Sequence, residues 1–407
     1  MIGTGILSSC SHGGTGRDPG RRNMSSQTTS IITESNVDVP SKPKPIVNVF
    51  IENSASMDGY VKGVTEFEST IYNYLTNIKI SQLTDSLNLF YINSKLIRQA
   101  PDVEDFIKKL EPSTFKQKGG NRGSTDISDL LKMVLKETTG DNVSIVVSDF
   151  IPSPGKGKDA EEYLMNQQIG IKRNVAEYLN GNSDAAVCIY QFFSKFTGTY
   201  FNREDYPTQI SDLRPFYLWV IGNKSHIRLF KEKIDVKFSD DLKNSYILEA
   251  FDDNVNYTVV ASKFCKKIKG NLHACVVKPD RNNQISFSVD INLSNSIMDD
   301  KYLCNPDNYD ISDPDMSIVG IRRSSSHAYT HTITFASNKV KSQTLSVSLK
   351  TCIPEWVDIY TDTEGLDIKK GDAMNQTYGL KHLIKGAYEA FTFNGDTCFT
   401  ISININK

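Results

Sequence analysis

Glu52, Ser54 and Ser56 stand at alternate positions directly after the run Val47-Asn48-Val49-Phe50-Ile51. A carboxylate and two hydroxyls at that spacing are hard oxygen donors. The β-branched and aromatic residues before them read as a buried parallel strand whose C-terminal end delivers those donors to a crevice. Two later segments repeat the pattern. Gly123-Ser124-Thr125-Asp126 opens a helical stretch, and Val143-Ser144-Ile145-Val146-Val147-Ser148 is an apolar run that ends at Asp149. Three separate loops thus offer Glu52, Ser54, Ser56, Thr125 and Asp149. Mg²⁺ takes about six oxygen ligands in octahedral geometry, with water or a partner completing what the protein leaves open. The plainer alternative is local: Ser54, Ser56 and Asp149 as turn and helix-capping residues.

The elements that must position these residues alternate. A strand over 46–51 is followed by a helix at about 61–79, with Phe67, Ile71, Tyr74, Leu75 and Ile78 at helical spacing. A strand over 87–92 and a short helix over 102–110 come next. Then follow a long polar loop over 111–124, a helix over 127–137 and the strand ending at Asp149. A long amphipathic helix spans 159–180, with Tyr163, Leu164, Ile169, Ile171, Val175 and Leu179 as its expected core positions. Strands over 185–193 and 215–222 flank a projecting hairpin or loop at 196–206, and a helix over 224–234 closes the series. Such alternation predicts an α/β fold with a doubly wound, mostly parallel sheet, whose ligands sit outside the C-terminal strand ends. After about residue 238 the segments 284–293, 331–337, 344–351 and 399–405 alternate apolar and polar residues, and one helical stretch, 380–391, interrupts them. That part reads as mostly antiparallel β structure.

The three-part constellation resembles the metal-ion-dependent adhesion site of the von Willebrand factor A family, written Asp-x-Ser-x-Ser, a distant Thr and a distant Asp. Here the parts are Glu52-Asn53-Ser54-Ala55-Ser56, Thr125 and Asp149. Glu52 departs from the family's Asp, and its extra methylene moves the carboxylate outward. The resemblance covers about residues 45–235. It implies a doubly wound, Rossmann-type α/β domain holding Mg²⁺ or Mn²⁺ through Glu52, Ser54, Ser56, Thr125 and Asp149. An open coordination position would then take an acidic side chain of a protein partner.

Composition bounds the rest. The 407 residues allow two or three domains. The expected organisation is a truncated signal peptide with lipobox over 1–10, a disordered linker over 11–44, a von Willebrand A-like domain over 45–237 and a β-rich domain over 238–407. With 46 basic and 48 acidic residues, the net charge of −2 argues for neither nucleic acid nor an anionic membrane surface as partner. No apolar run is long enough to cross a bilayer as a helix. Leu7-Ser8-Ser9-Cys10 reads as a bacterial lipobox, with a lipid on Cys10 tethering the chain to the cell envelope through the Gly/Ser/Pro-rich leash. The segment before Cys10 is short for a signal peptide, and a cytoplasmic protein starting at Met1 or Met24 is the alternative.

Other motifs carry less. None of the seven cysteines forms a Cys-x-x-Cys pair, so a zinc ribbon is not expected. Gly119-Gly120-Asn121-Arg122-Gly123-Ser124-Thr125 lacks the Lys of a phosphate loop. His327 and His331 share spacing but no further ligands, and no Gly-x-Ser-x-Gly elbow accompanies Ser54. Lys156 and Lys158 read as a solvated loop or as a docking aid for an acidic partner. The chain is therefore expected to be a metal-dependent binding and adhesion protein, not an enzyme. A metal-free scaffold in an envelope or intracellular assembly is the second reading, and a Mg²⁺-dependent enzyme the third.

Overall fold

In a computed structural model, the described residues are 44–123, 126–234, 242–339 and 341–407. The expectations for residues 1–43, with Cys10 and Met24, and for Thr125 fall outside them.

A seven-stranded sheet organises the first half. In chain order its elements are β1 (Ile46–Glu52), α1 (Glu66–Ile80), β2 (Ser86–Ile92), β3 (Leu96–Arg98), α2 (Val103–Lys108) and α3 (Pro112–Gln117). Then come α4 (Ile127–Glu137), β4 (Val143–Ser148), α5 (Ala160–Gly181), β5 (Ala185–Phe201), β6 (Pro207–Asn223), α6 (Lys224–Lys233) and β7 (Asn244–Glu249). The strand order is β3-β2-β1-β4-β6-β5-β7. The sheet is mixed. β1 is parallel to β2 and β4, and every other neighbouring pair is antiparallel. Apart from the short edge strand β3 on β2, every antiparallel pair involves the hairpin β5–β6. This hairpin pairs residue by residue from Ala185↔Asn223 to Phe201↔Pro207 and so fills two sheet positions with consecutive strands. The projecting segment expected at 196–206 is the outer half of this hairpin.

Helices cover both faces. Val47, Val49 and Ile51 pack with Phe67, Ile71, Tyr74, Leu75 and Ile78 of α1 and with Phe106, Phe115 and Ile227 of α2, α3 and α6. Phe50 and Val146, of opposite strand parity, pack with Ile127, Leu130, Leu131 and Val134 of α4 and with Ile171 and Val175 of α5. This alternation of Cβ direction is what one-residue parity along a strand requires. On α5 the core positions are Leu164, Ile171 and Val175, whereas Ile169 faces outward at 59% exposure. The place Ile169 was expected to fill in the buried face belongs instead to Gln167, Gln168 and Asn174, whose amides bond to neighbouring elements.

The second half forms two further sheets. Its elements are β8 (Tyr257–Val260), β9 (Cys265–Ile268), β10 (Asn271–Val277), β11 (Ile285–Ile291), α7 (Asp300–Leu303), β12 (Tyr309–Ile311), β13 (Met316–Arg323), β14 (His331–Ser337) and β15 (Gln343–Lys350). After these come α8 (Glu355–Ile359), β16 (Thr361–Asp362), β17 (Thr377–Tyr378), α9 (Leu380–Phe391) and β18 (Thr397–Asn406). A five-stranded sheet β12-β15-β18-β10-β9 and a four-stranded sheet β13-β14-β11-β8 share one apolar core, so they form a β-sandwich. The two halves interlock. β7 is the last strand of the first sheet, and Leu380, Leu383, Ile384 and Ala387 of α9 join the core that α4 and α5 cover. Gly386 allows this contact, because a Cβ there would lie 2.6 Å from the Gln168 carbonyl oxygen.

Candidate functional site

The register between β1 and β4 brings the two carboxylates together. Ile51 pairs with Val147, so Glu52 and Ser148 emerge side by side and Asp149 follows one residue later. Both acidic side chains are buried, at about 1% exposure. The Ser148 hydroxyl donates to Glu52 Oε2, and the Phe150 N–H donates to Ser148 Oγ at 2.7 Å. Asp149 Oδ1 accepts the Ile151 N–H at 3.2 Å, while Oδ2 is buried with no hydrogen-bond partner among the described residues. The turn that presents Asp149 is strained. Phe150 sits at φ 50°, unusual for a bulky side chain, and is held there by burial of its ring against Trp219 with centroids 4.9 Å apart.

Burial and the nearby negative charge of Glu52 raise the Asp149 carboxyl to about 7. The Ile151 N–H, the Ser56 hydroxyl and the more distant Arg214 guanidinium oppose that rise. Two buried carboxylates facing one another are unfavourable unless a proton or a cation stands between them.

Ser54 and Ser56 complete the cluster of oxygens, with their Oγ atoms 2.9 Å apart. Their loop is held on two sides. Arg122 donates from Nε to the Asn53 carbonyl at 2.7 Å and from Nη2 to the Ser54 carbonyl at 3.1 Å, and forms an ion pair with Asp58. On the other side the β5–β6 hairpin presses on the turn behind Ser56. Gly59 and Gly198 lie so close that a Cβ on Gly198 would sit 2.9 Å from Gly59 Cα, and one on Gly59 would enter the Phe196 ring. The Tyr60 hydroxyl then donates to the Pro215 carbonyl at 2.6 Å. Thr125 lies outside the described residues. Its neighbour Asp126 caps α4 by accepting the Asp129 N–H at 2.9 Å and also accepts the Gln167 amide.

Above the hydroxyls lies a cavity of about 260 Å³, lined by Ser54, Ser56, Arg122 and Ser153 on one side and by Phe201 and Asp205 of the hairpin tip on the other. The tip is itself tied to the second half of the chain. Asn202 Nδ2 donates to the Leu366 carbonyl and the Arg203 N–H to the Gly365 carbonyl, each at 2.9 Å. Deeper in the hairpin, the buried Arg214 donates through Nη1 to the carbonyls of Ala373, Met374 and Gln376 at 2.8–3.0 Å. It has no carboxylate at ion-pair distance among the described residues.

Of the five expected site residues, the fold gathers Glu52, Ser54, Ser56 and Asp149 at one end of the parallel strands. Ser148 and Arg122 were not expected at the site, and the hairpin expected at 196–206 was not expected to line it. Ser148 carries a signal only once the β1–β4 register is known, and Arg122 reads in sequence as one charge in a polar loop. Lys156 and Lys158 stand near the Tyr206 and Tyr163 rings, at 5.8 and 5.9 Å from the centroids. His331 is buried in β14 beside Thr330, with Nδ1 and Oγ1 2.9 Å apart, and His327 is exposed. Compared with protein-family models, curated proteins and solved structures, the chain matches none.

The donor set suits a hard divalent cation. It consists of two buried carboxylates and two hydroxyls, without nitrogen or sulfur, and one carboxylate oxygen has no partner among the described residues. Among the described residues no group of three or more His, Cys, Asp or Glu side chains gathers, at this site or elsewhere.

Proposed function

We propose that the chain is a binding protein whose von Willebrand A-like domain uses Glu52, Ser54, Ser56 and Asp149, with Thr125 by resemblance, to hold Mg²⁺ or Mn²⁺ and capture an acidic side chain of a protein partner. One observation carries the reading. The buried Asp149 Oδ2 has no hydrogen-bond partner among the described residues, beside a second buried carboxylate and beneath a cavity edged by two hydroxyls. A cation bound there supplies an electrophile for a carboxylate and relieves the repulsion between Glu52 and Asp149. Ser54 and Ser56 offer neutral oxygens toward the cavity. Arg122 keeps their backbone in place through the Asn53 and Ser54 carbonyls. Phe201 and Asp205 narrow the approach, which suits a single projecting side chain better than a flat surface. The envelope location rests on the Leu7-Ser8-Ser9-Cys10 sequence.

The test is thermal unfolding of the full chain in excess chelator, then in millimolar Mg²⁺ or Mn²⁺, beside the Ser54→Ala/Ser56→Ala variant. A ligand at about 100 times its dissociation constant stabilises the native state by about 2.7 kcal/mol. A stabilisation lost in the variant supports the reading, and none in the wild type removes it. A metal-free scaffold is the second reading, favoured by the Ser148 hydroxyl bond that Glu52 already makes. In that case one proton shared by Glu52 and Asp149 takes the place of the cation.

A further inference from the structure

We propose that one corner of the β-sandwich is a docking surface for anionic phospholipid headgroups. Lys263, Lys266, Lys267, Lys269, Lys278 and Arg281 are all exposed and all belong to β9, its hairpin with β10, or the adjoining turns. None of the six forms an ion pair among the described residues. The contacts they do make are weak, with Lys267 Nζ 3.2 Å from Thr258 Oγ1 and Lys263 Nζ 5.3 Å from the Phe264 ring centroid. One carboxylate stands among them, Asp280, and it accepts the N–H groups of Asn282 and Gln284. The chain as a whole carries −2, so this corner is a sharp local departure from the balance of the molecule.

Lysines on an edge strand also serve to block edge-to-edge pairing, and β9 is an edge. That accounts for Lys266 and Lys267. It does not account for Lys263, Lys269, Lys278 and Arg281, which lie off the strand. The apolar component of the surface is Leu272, 61% exposed two residues after the Gly270 turn. Lysines at both ends of a hairpin whose turn carries one exposed aliphatic side chain match a headgroup layer with its acyl boundary beneath. A single-stranded nucleic acid would call for aromatic faces free to stack on bases. Here Phe264 lies under Lys263, and the Tyr257 and His273 rings are stacked on each other at 3.9 Å.

The experiment uses the full chain with Cys10→Ser, so that no acyl chain contributes. It is sedimented with vesicles of phosphatidylcholine alone and with added phosphatidylglycerol, in chelator. Each lysine near an anionic surface contributes about fivefold in affinity, so Lys266→Gln/Lys269→Gln/Lys278→Gln should weaken binding roughly a hundredfold. Leu272→Ser should weaken it further, and salt should suppress it. Circular dichroism and the unfolding midpoint of the variants check that the sandwich is intact. Equal binding to the two vesicle types overturns the proposal, as does undiminished binding of the triple variant, or binding to duplex DNA or RNA in place of vesicles. Persistence of vesicle binding in chelator separates this surface from the Glu52–Asp149 site.

Discussion

The Asp149→Asn substitution should reshape how stability depends on pH. In the metal-free protein, burial and the charge of Glu52 raise the Asp149 carboxyl from 3.8 to about 7. The folded state therefore holds a proton more tightly than the unfolded chain does. The stability this contributes is full below pH 3.8, falls as pH rises through the interval up to about 7, and is gone above it. A shift of that size corresponds to roughly 4 kcal/mol in total, of which about 3 kcal/mol is lost between about pH 5 and pH 8. The proton belongs to the Glu52–Asp149 pair, so the titration is that of the pair. In excess chelator the wild type should lose that much stability over the interval, while Asp149→Asn, neutral throughout, should be flatter by the same amount. The assay is chemical denaturation at the two pH values, with Glu52→Gln as a second variant that should flatten the curve too. Adding Mg²⁺ should stabilise the wild type far more at pH 8, where the cation meets a doubly charged pair. Identical pH profiles for wild type and Asp149→Asn would refute the reasoning, because the carboxyl would then not carry a displaced proton.

Arg214→Met should lower the unfolding free energy by about 3 kcal/mol, read as a lower urea midpoint, because it leaves the buried Ala373 carbonyl and the part-buried carbonyls of Met374 and Gln376 without their donor. Proteolysis of the hairpin tip should accelerate in parallel, since that anchor joins the hairpin to the second half. Gly386→Val should cost about 1–3 kcal/mol by driving a side chain into the Gln168 carbonyl and Ile171, and an unchanged unfolding midpoint would refute the close α5–α9 contact.

The carboxylate cluster was legible because each member ends an apolar run, and parallel neighbouring strands place such ends side by side. Glu52 and Asp149 needed no more than that, and Ser54 and Ser56 follow from their alternate spacing after Glu52. What sits around them was not legible, because it depends on register and on distant chain. Ser148 meets Glu52 only through the Ile51↔Val147 pairing. The full length of β5 and β6 was hidden because their outer halves lie beyond the parallel strands and mix polar with apolar residues, as in Ser194-Lys195-Phe196-Thr197. On α5, Ile169 misled because apolar spacing alone cannot show that a packed helix face admits amides. β9 and β10 escaped notice for a similar reason, since Cys265-Lys266-Lys267-Ile268 carries its charge on a sheet edge rather than in a coil. The net charge of −2 does not show this corner, because it sums the lysines there with acidic residues elsewhere.

The interlocking of the two halves has a consequence for synthesis. α5 leaves the ribosome more than two hundred residues before its cover α9, as the Gln168–Glu389 bond across 221 positions records. Until residues 380–391 emerge, Leu164, Ile171 and the neighbouring face of α4 have no roof, and the first sheet lacks β7 until residues 244–249 follow. The nascent chain must therefore carry an uncovered apolar face through most of translation. Truncations ending before α9 should aggregate rather than fold as the first half alone, and a holdase that binds such faces should be engaged early and released late.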